Sequence, residues 1–372
     1  MTQRVLIIGG QGRIGRSVAQ DLVTHTDAEI IATGRKISDS ERAKKLHPQI
    51  QLMTLELAEV EKLTKAIASS DLVIHCAGPF HYRDANVLKI CIEEGVIYLD
   101  VSDHRSFYHR AIVYQQQAEK AGVTAILNTG IFPGISNSMV RQGVEQFDDA
   151  ETIHLSYVVG GSGGAGKTVM RTTFLGLRQP FEVWMNGKWQ TVLPYSDREV
   201  IHFPKPLGNT GVYWFDMPEA YTFAESFNVK NVITKFGSIP DFYNHLTWIA
   251  AHVFPASWLQ NPAGIEFLSH VSYKMTSVTD KFSGIGVAMR SQITGYKDGK
   301  KAKHTATFIH ENTAVSAGMG TGSVAEFILS GKLKKPGIWP IEQALSTPLF
   351  EASMKSRNIS IHQEWSIEEE SD

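Results

Sequence analysis

Cysteine is scarce in this chain: Cys76 and Cys91 are the only two in 372 residues. One sits at the end of an apolar run and the other inside the amphipathic stretch that follows. That placement excludes a disulfide framework and a cysteine-based zinc site, and it suits a reducing, cytoplasmic compartment. No apolar run reaches the ~18 residues that a spanning helix needs, so no membrane-spanning segment is expected. Only four residues precede the first apolar run, which leaves no room there for a secretory leader. Charge of one sign is missing as well. Lys and Arg total 36 against 38 Asp and Glu, a net charge of −2, so no basic footprint for nucleic acid is present. The 14 histidines show no metal-ligand spacing, and no repeat or low-complexity linker is visible. What remains is a soluble composition, 42% hydrophobic and 20% charged, at a length that suits two domains.

What is present begins at the N-terminus with RVLIIGGQGRIG. Residues 5–8 read as a buried strand, followed by a glycine turn and a helix with Ile14, Val18, Ala19 and Leu22 on one face. The turn contains Gly10-x-Gly12-x-x-Gly15, the spacing of a dinucleotide fingerprint. One glycine turns the chain, one lets backbone approach a pyrophosphate, and one packs helix against strand. The first turn of that helix offers backbone N–H groups and a positive dipole end to the phosphates, with Arg13 placed to close over an anion. A second strand, 29–33, runs into Gly34-Arg35-Lys36 with Ser38 behind. An NAD-type site carries a carboxylate in that region, whereas two cations suit a 2′-phosphate, so NADP(H) is the expected cofactor.

The α/β alternation continues. Helix 40–45, strand 51–57 and helix 59–68 lead to strand 71–76, which ends in Cys76-Ala77-Gly78-Pro79-Phe80-His81-Tyr82. Helix 84–94, strand 96–100, helix 107–121 and strand 124–128 follow, for six strands of a doubly wound parallel sheet with the nicotinamide half of the cofactor passing the 76–80 loop. From 151 onward the texture changes. Residues 153–159 alternate, Asn186-Gly187 separates the runs 181–185 and 188–192, and Asp298-Gly299 separates 287–297 from 303–310. These hairpin signals predict a second α+β domain with a mixed, largely antiparallel sheet. Two helices rich in Trp and Phe, 242–253 and 264–275, read as core or dimer contact. The expected organisation is a Rossmann domain over 1–130, a substrate and dimerisation domain over 131–314, helices returning to the first domain over 315–365, and an acidic tail over 366–372. A homodimer is expected.

Five segments in order, GGQGRIG, GR after the second strand, LVIHCAGPF, GVIYLDVSD and NTGIFPGISN, resemble the NADP-binding domain of the saccharopine dehydrogenase-like oxidoreductases. The resemblance covers roughly residues 4–140. It implies hydride transfer between NADP(H) and a carbon of a small or apolar substrate. That carbon is often bonded to nitrogen, and in some branches it belongs to a C=C bond. It also implies that the glycine-rich turn before Lys167 and Thr168 faces the cofactor from the second domain.

That same turn, residues 161–168, satisfies G-x-x-x-x-G-K-[ST], the phosphate loop of nucleotide hydrolases, with 212–216 as the carboxylate strand. The hairpins around it speak against this alternative, since a phosphate-loop enzyme needs its parallel sheet to continue. Hydride chemistry also needs a group that gives or takes a proton. Tyr82 and Lys167 are the favoured candidates. Asp103 is either a third or a helix N-cap, and His81 and His104 lie alongside. An NADPH-binding regulator without catalysis would keep the same glycines and stays open as an alternative.

Overall fold

The structure, a computed structural model, describes residues 2–36, 47, 50–160, 167–205, 207–283 and 286–367. Ser38, the predicted helix 40–45, the glycine turn 161–166 and the acidic end lie outside the described residues. The chain divides into two compact units, Met1–Ile135 with Ala314–Ser353, and Ser136–Thr313 with Met354–Asp372.

The first unit is organised on a seven-stranded sheet. Its strands are β1 (Arg4–Ile8), β2 (Glu29–Gly34), β3 (Ile50–Thr54), β4 (Leu72–His75), β5 (Ile97–Asp100), β6 (Thr124–Leu127) and, from far along the chain, β15 (Gly337–Pro340). The order is β3-β2-β1-β4-β5-β6-β15, with every neighbouring pair parallel. Central strands such as β1 and β4 read as unbroken apolar runs because both faces are covered, and Val5, Leu6, Ile7, Val73 and Ile74 are fully buried. Six strands were expected and seven are found. The extra strand, β15, lies within what reads as a Lys/Pro-rich turn, and its closing Pro340 is tolerated because the strand is at the sheet edge. The helix expected over 107–121 is two, Arg105–Ile112 and Gln115–Ala121, the second closed by Gly122 at φ 68°. The order of strands reverses between β1 and β4. The crevice for a ligand therefore opens beyond the carboxyl ends of these two strands, where the loops 9–12 and 76–82 leave the sheet.

The second unit holds another seven-stranded sheet, ordered β10-β11-β12-β7-β13-β14-β16. The strands are β7 (Asp149–Gly160), β10 (Glu199–Phe203), β11 (Gly208–Trp214), β12 (Asn231–Ile239), β13 (Gly286–Lys297), β14 (Lys300–His310) and β16 (His362–Ile367). Only β12 and β7 run parallel, as a mixed, largely antiparallel sheet requires. The alternation in β7 sends Ile153 and Leu155 into a core with Val140, Phe223, Val232 and Ile293. Its Val158 packs on the opposite face with Phe203, Val212 and Ala288. A separate hairpin joins β8 (Phe181–Met185) to β9 (Lys188–Val192) through Asn186-Gly187. The end of the chain departs from the expected run of helices to 365: β16 pairs antiparallel with β14, on the second unit's sheet. No helix among the described residues is long and apolar enough to cross a membrane.

Both predicted two-residue turns have left-handed backbone at each central position. The φ values are 55° and 70° at Asn186 and Gly187, and 52° and 74° at Asp298 and Gly299. Nothing lies within 4 Å of a Cβ added at either glycine, so the cost of a side chain there is the backbone conformation alone. Gly187→Ala and Gly299→Ala should each lose about 1–2 kcal/mol, read as a lower urea midpoint at unchanged m-value.

Candidate active site

At the mouth of the crevice the glycine loop is drawn tightly onto the sheet. A Cβ on Gly10 would lie 2.7 Å from the backbone of Ala32 in β2, and one on Gly15 would lie 2.4 Å from the carbonyl oxygen of Gly9. Gly9 itself turns at φ 77°. Hydrogen bonds from Gly12 N to Gly9 O (2.9 Å) and from Gln11 N to Thr33 O (3.1 Å) fasten the loop to itself and to β2. Gly12 is different: its added Cβ would meet only Gly9 O, at 3.1 Å. The protein's own packing needs a glycine less there than at Gly10 or Gly15, whereas a pyrophosphate approaching the backbone needs one. Gly12 is also the N-cap of helix Arg13–His25 and supplies no side-chain cap. The first-turn N–H groups, including those of Arg13, Ile14 and Gly15, are thus oriented for an anion. Beside them the Gln11 side chain fills the space over Gly34, and its Nε2 is buried without a hydrogen-bond acceptor. This donor set fits a dinucleotide phosphate. Arg35 and Lys36 follow at the carboxyl end of β2, both exposed.

The loop beyond β4 is held by two guanidinium groups. Arg83 donates to the carbonyls of Ala77 (2.7 Å) and Gly78 (3.3 Å). Arg110 donates to those of Phe80 (3.0 Å) and His81 (3.1 Å). Phe80 is buried edge-on against His75 and Phe107, at 5.0 Å from each ring. The backbone of Cys76, Ala77, Gly78, Pro79 and Phe80 is therefore a fixed wall of the crevice, while both thiols, Cys76 and Cys91, are pushed to higher pKa by burial. A cavity of about 200 Å³ borders this wall, lined by Leu57, His75, Tyr82 and Arg83 among others. A larger cavity, about 580 Å³, opens beside Thr2, His25 and Asp27, which flank the amino ends of the strands, so it is not part of this crevice.

Under the wall runs a buried polar chain. Asp100, at the end of β5, accepts from Ser102 N (2.9 Å), Ser102 Oγ (2.7 Å) and Asn128 N (2.9 Å) on Oδ1, and from the Tyr98 hydroxyl (3.1 Å) on Oδ2. Burial outweighs those bonds and lifts its pKa to about 6. Tyr98 in turn contacts His75 Nδ1 at 3.2 Å, and burial drives His75 down to about 3. An imidazole pair lies nearer the surface, with His81 Nδ1 3.1 Å from His104 Nε2. The tautomers follow from one backbone bond. His104 Nδ1 accepts from Ser106 N (3.2 Å), so His104 carries its proton on Nε2 and donates it to His81. Burial first, then the charges of His81, Arg105 and Arg110, hold His104 down at about 3.

The predicted proton carriers are placed unequally. Tyr82 is on the cavity rim and more than half exposed, directly after His81. Asp103 is half-buried and one residue removed from the cap: the N-cap of helix Arg105–Ile112 is His104, whose imidazole accepts the N–H that an aspartate had been expected to take. Lys167 opens the helix Lys167–Gly176 of the second unit. The rival phosphate-loop reading loses its carboxylate strand, because 208–214 pairs antiparallel on both sides. Arg83, Arg110, Asp100 and Asn128 were not singled out from sequence. The signals for them were two of the quoted segments, GVIYLDVSD, which contains Asp100, and NTGIFPGISN, which opens on Asn128.

Residues 5–126 match the family model described as the saccharopine dehydrogenase NADP binding domain. This third of the chain is similar to that NADP-binding domain. It is 23% identical to carboxyaminopropylagmatine dehydrogenase of Synechocystis over 385 residues, covering 93% of this chain and 94% of that protein. With carboxynorspermidine synthase of Vibrio cholerae it shares 22% identity over 387 residues, 92% of each chain. Its fold is that of saccharopine dehydrogenase (L-Glu forming) from Saccharomyces cerevisiae, with a TM-score of 0.71 at 15% identity over 98% of this chain and 100% of the other. The homospermidine synthase of Legionella pneumophila, solved with NAD, gives 0.64 at 10% identity over 98% and 91%. A nicotinamide dinucleotide is thus the cofactor of this chain.

Two expectations follow from the geometry. Gly10→Ala and Gly15→Ala force backbone overlap and should cost about 1–3 kcal/mol each. Gly12→Ala should cost less than about 1 kcal/mol yet weaken dinucleotide binding roughly tenfold, about 1.4 kcal/mol, as measured by urea unfolding and nicotinamide fluorescence on the same samples. The second expectation concerns pH. Unfolded histidine titrates near 6.5 while His75 and His104 resist protonation down to about 3, so below 6.5 the unfolded chain binds protons that the fold refuses and stability falls with falling pH. Asp100 acts oppositely. It keeps a proton up to about 6 that the unfolded chain releases near 3.8, so its contribution declines as pH rises through that window. Removing one buried histidine by His104→Gln should flatten the stability slope between about pH 4 and 6 by about 1.4 kcal/mol per pH unit, measured by urea unfolding at stepped pH.

Proposed function

We propose that this chain is an NADP(H)-dependent oxidoreductase moving hydride to or from a carbon bonded to nitrogen, in a small amine that carries a carboxyl group. That it is an oxidoreductase with a nicotinamide dinucleotide cofactor follows from its family. The substrate class rests on one observation. The relatives that match over more than nine-tenths of both chains are, by name, a carboxyaminopropylagmatine dehydrogenase and carboxynorspermidine synthases.

In this reading the backbone of Gly10, Gly12, Arg13, Ile14 and Gly15 holds the pyrophosphate. Arg35 and Lys36 take the 2′-phosphate, two cations directly after β2 where an NAD-type site carries a carboxylate. The wall from Cys76 to Phe80 keeps the nicotinamide half in place and excludes water. When bound, the cofactor supplies the hydride. The chain supplies the accompanying proton, with Tyr82 and Lys167 as donors or charge stabilisers and Asp103 as the third candidate. We further infer a cytoplasmic homodimer, in keeping with two free cysteines and the apolar helices of the second unit.

Titration with NADPH and NADH should show at least roughly tenfold preference for NADPH, lost in Arg35→Ala. NADP+ reduction should then require an amine bearing a carboxylate on the carbon next to nitrogen. Tyr82→Phe and Lys167→Ala should each lower kcat by roughly tenfold to 100-fold, within the range of acid–base catalysis, with NADPH binding intact. Undiminished turnover in both variants refutes the proton assignment, and tight NADPH binding with no turnover on any such amine refutes the catalytic reading.

A further inference from the structure

One end of the buried polar chain beneath the wall is unfinished. His75, 1% exposed at the end of β4, has no hydrogen-bond partner on Nε2 among the described residues. It is one of the residues lining the cavity of about 200 Å³, with Leu57, Leu63 and Val87 as aliphatic walls and Tyr82 and Arg83 beside them. A buried ring nitrogen left unbonded is costly, and here it borders open space. The bonds at the other end of the chain decide what that nitrogen can be. Asp100 Oδ1 accepts from Ser102 N, Ser102 Oγ and Asn128 N. Two of these donors are backbone N–H groups, which cannot reverse, so a proton arriving at the carboxyl settles on Oδ2. Oδ2 accepts from the Tyr98 hydroxyl at 3.1 Å, and a hydroxyl can reverse. While Asp100 is ionised, Tyr98 gives its one proton to that bond and accepts from His75 Nδ1–H at 3.2 Å. Neutral His75 then carries a lone pair on Nε2. With a proton on Oδ2, Tyr98 must accept from Asp100 and donate to His75 Nδ1, which has to give up its own proton. Nε2 becomes an N–H.

We propose that Asp100, Tyr98 and His75 form a proton relay between a buried carboxyl and the cavity, and that its state decides whether His75 Nε2 accepts or donates there. One proton leaves a hydronium ion in the cavity and bonds to Nε2. The Nδ1 proton passes to the Tyr98 oxygen, and the Tyr98 proton passes to Asp100 Oδ2. Three bonds to hydrogen break and three form, and the charges of hydronium and carboxylate cancel. Neither ring keeps a charge. Burial suits this, since it holds His75 down to about 3 and Tyr98 well above its ordinary range. The carboxyl is the member that titrates, lifted by burial to about 6. The other groups that act on the chain are Arg83, whose charge opposes a second proton on His75, and the thiols of Cys76 and Cys91 beside Tyr98. Burial raises both thiols, so they stay uncharged across this range. Phe80 and Phe107 pack edge-on against the imidazole and bring no charge. Ionised, the relay shows the cavity an acceptor, which suits a ligand N–H. Protonated, it shows a donor, which suits a carbonyl or carboxylate oxygen. The relay is independent of which substrate the crevice takes.

The test is nuclear magnetic resonance of the full chain carrying ¹⁵N-labelled histidine, which separates imidazole nitrogens that bear a proton from those that bear a lone pair. His75→Gln identifies the signals of His75. In the unchanged chain His75 should carry its proton on Nδ1 at about pH 8 and on Nε2 at about pH 5, with the midpoint at the carboxyl's about 6. Asp100→Asn puts an amide N–H where Oδ2 stood, which can only donate to Tyr98, so His75 should hold the Nε2–H form at both values. Tyr98→Phe removes the middle of the relay without changing the ring, and the swap should disappear. A His75 that keeps one tautomer between about pH 5 and 8 in the unchanged chain, or gains a second proton there, overturns the relay whether or not the variants fold. So does a swap that survives Tyr98→Phe, or a His75 that stays in the Nδ1–H form in Asp100→Asn.

Discussion

The constraint on which the first unit depends is the absence of side chains where β1, β2 and the first helix converge. With Gly10 against Ala32 and Gly15 against the Gly9 carbonyl, the helix is seated at backbone contact distance from the sheet. Any Cβ would lift it away. Because the helix is seated there, its amino end lies at the reversal in strand order, and its dipole and first-turn N–H groups serve the crevice. The other loops then need only be held at the right height. The arginine clamps on the 77–81 carbonyls do this beyond β4, and the Asp100 network does it beyond β5 and β6.

The buried polar chain shows how such a crevice keeps its ionisation states fixed. Burial is the largest influence on His75, Asp100 and His104 alike, and it favours the neutral form of each. The imidazoles stay uncharged at neutral pH, and the carboxyl titrates close to the range in which a modest change of environment alters its charge. Beside the loop beyond β4, Arg83 and Arg110 carry positive charge on guanidinium groups, which do not switch. A site meant to bind phosphates gains from that separation, since its attraction for the cofactor does not vary as a reaction takes up or releases protons.

Sequence-level reading succeeded where the determinant is local. The glycine spacing, the Asn-Gly and Asp-Gly turns and the apolar runs of the central strands each dictate their own conformation, and the two hairpins and the parallel sheet appear where they were expected. It was weaker where the determinant is distant. Strand β15 has four residues and no alternation, and it exists because β6 offers it an edge. Strand β16 is exposed throughout and owes its form to β14. Arg110 reaches carbonyls about thirty positions earlier, which no spacing rule encodes. The cap at Arg105 went to His104 instead of Asp103, because the backbone turns one residue later than composition suggests.

The edge pairing of β15 with β6 has a consequence for how the chain is made. The first unit is written in two pieces, with the whole of the second between them. During synthesis β6 emerges early, yet its parallel partner arrives only after some two hundred further residues have left the ribosome. Throughout that interval β6 presents an unpaired row of amide and carbonyl groups, the kind of template that recruits foreign strands. The nascent chain thus passes through a period in which a half-built nucleotide-binding layer must wait, and its first need for a chaperone would fall there.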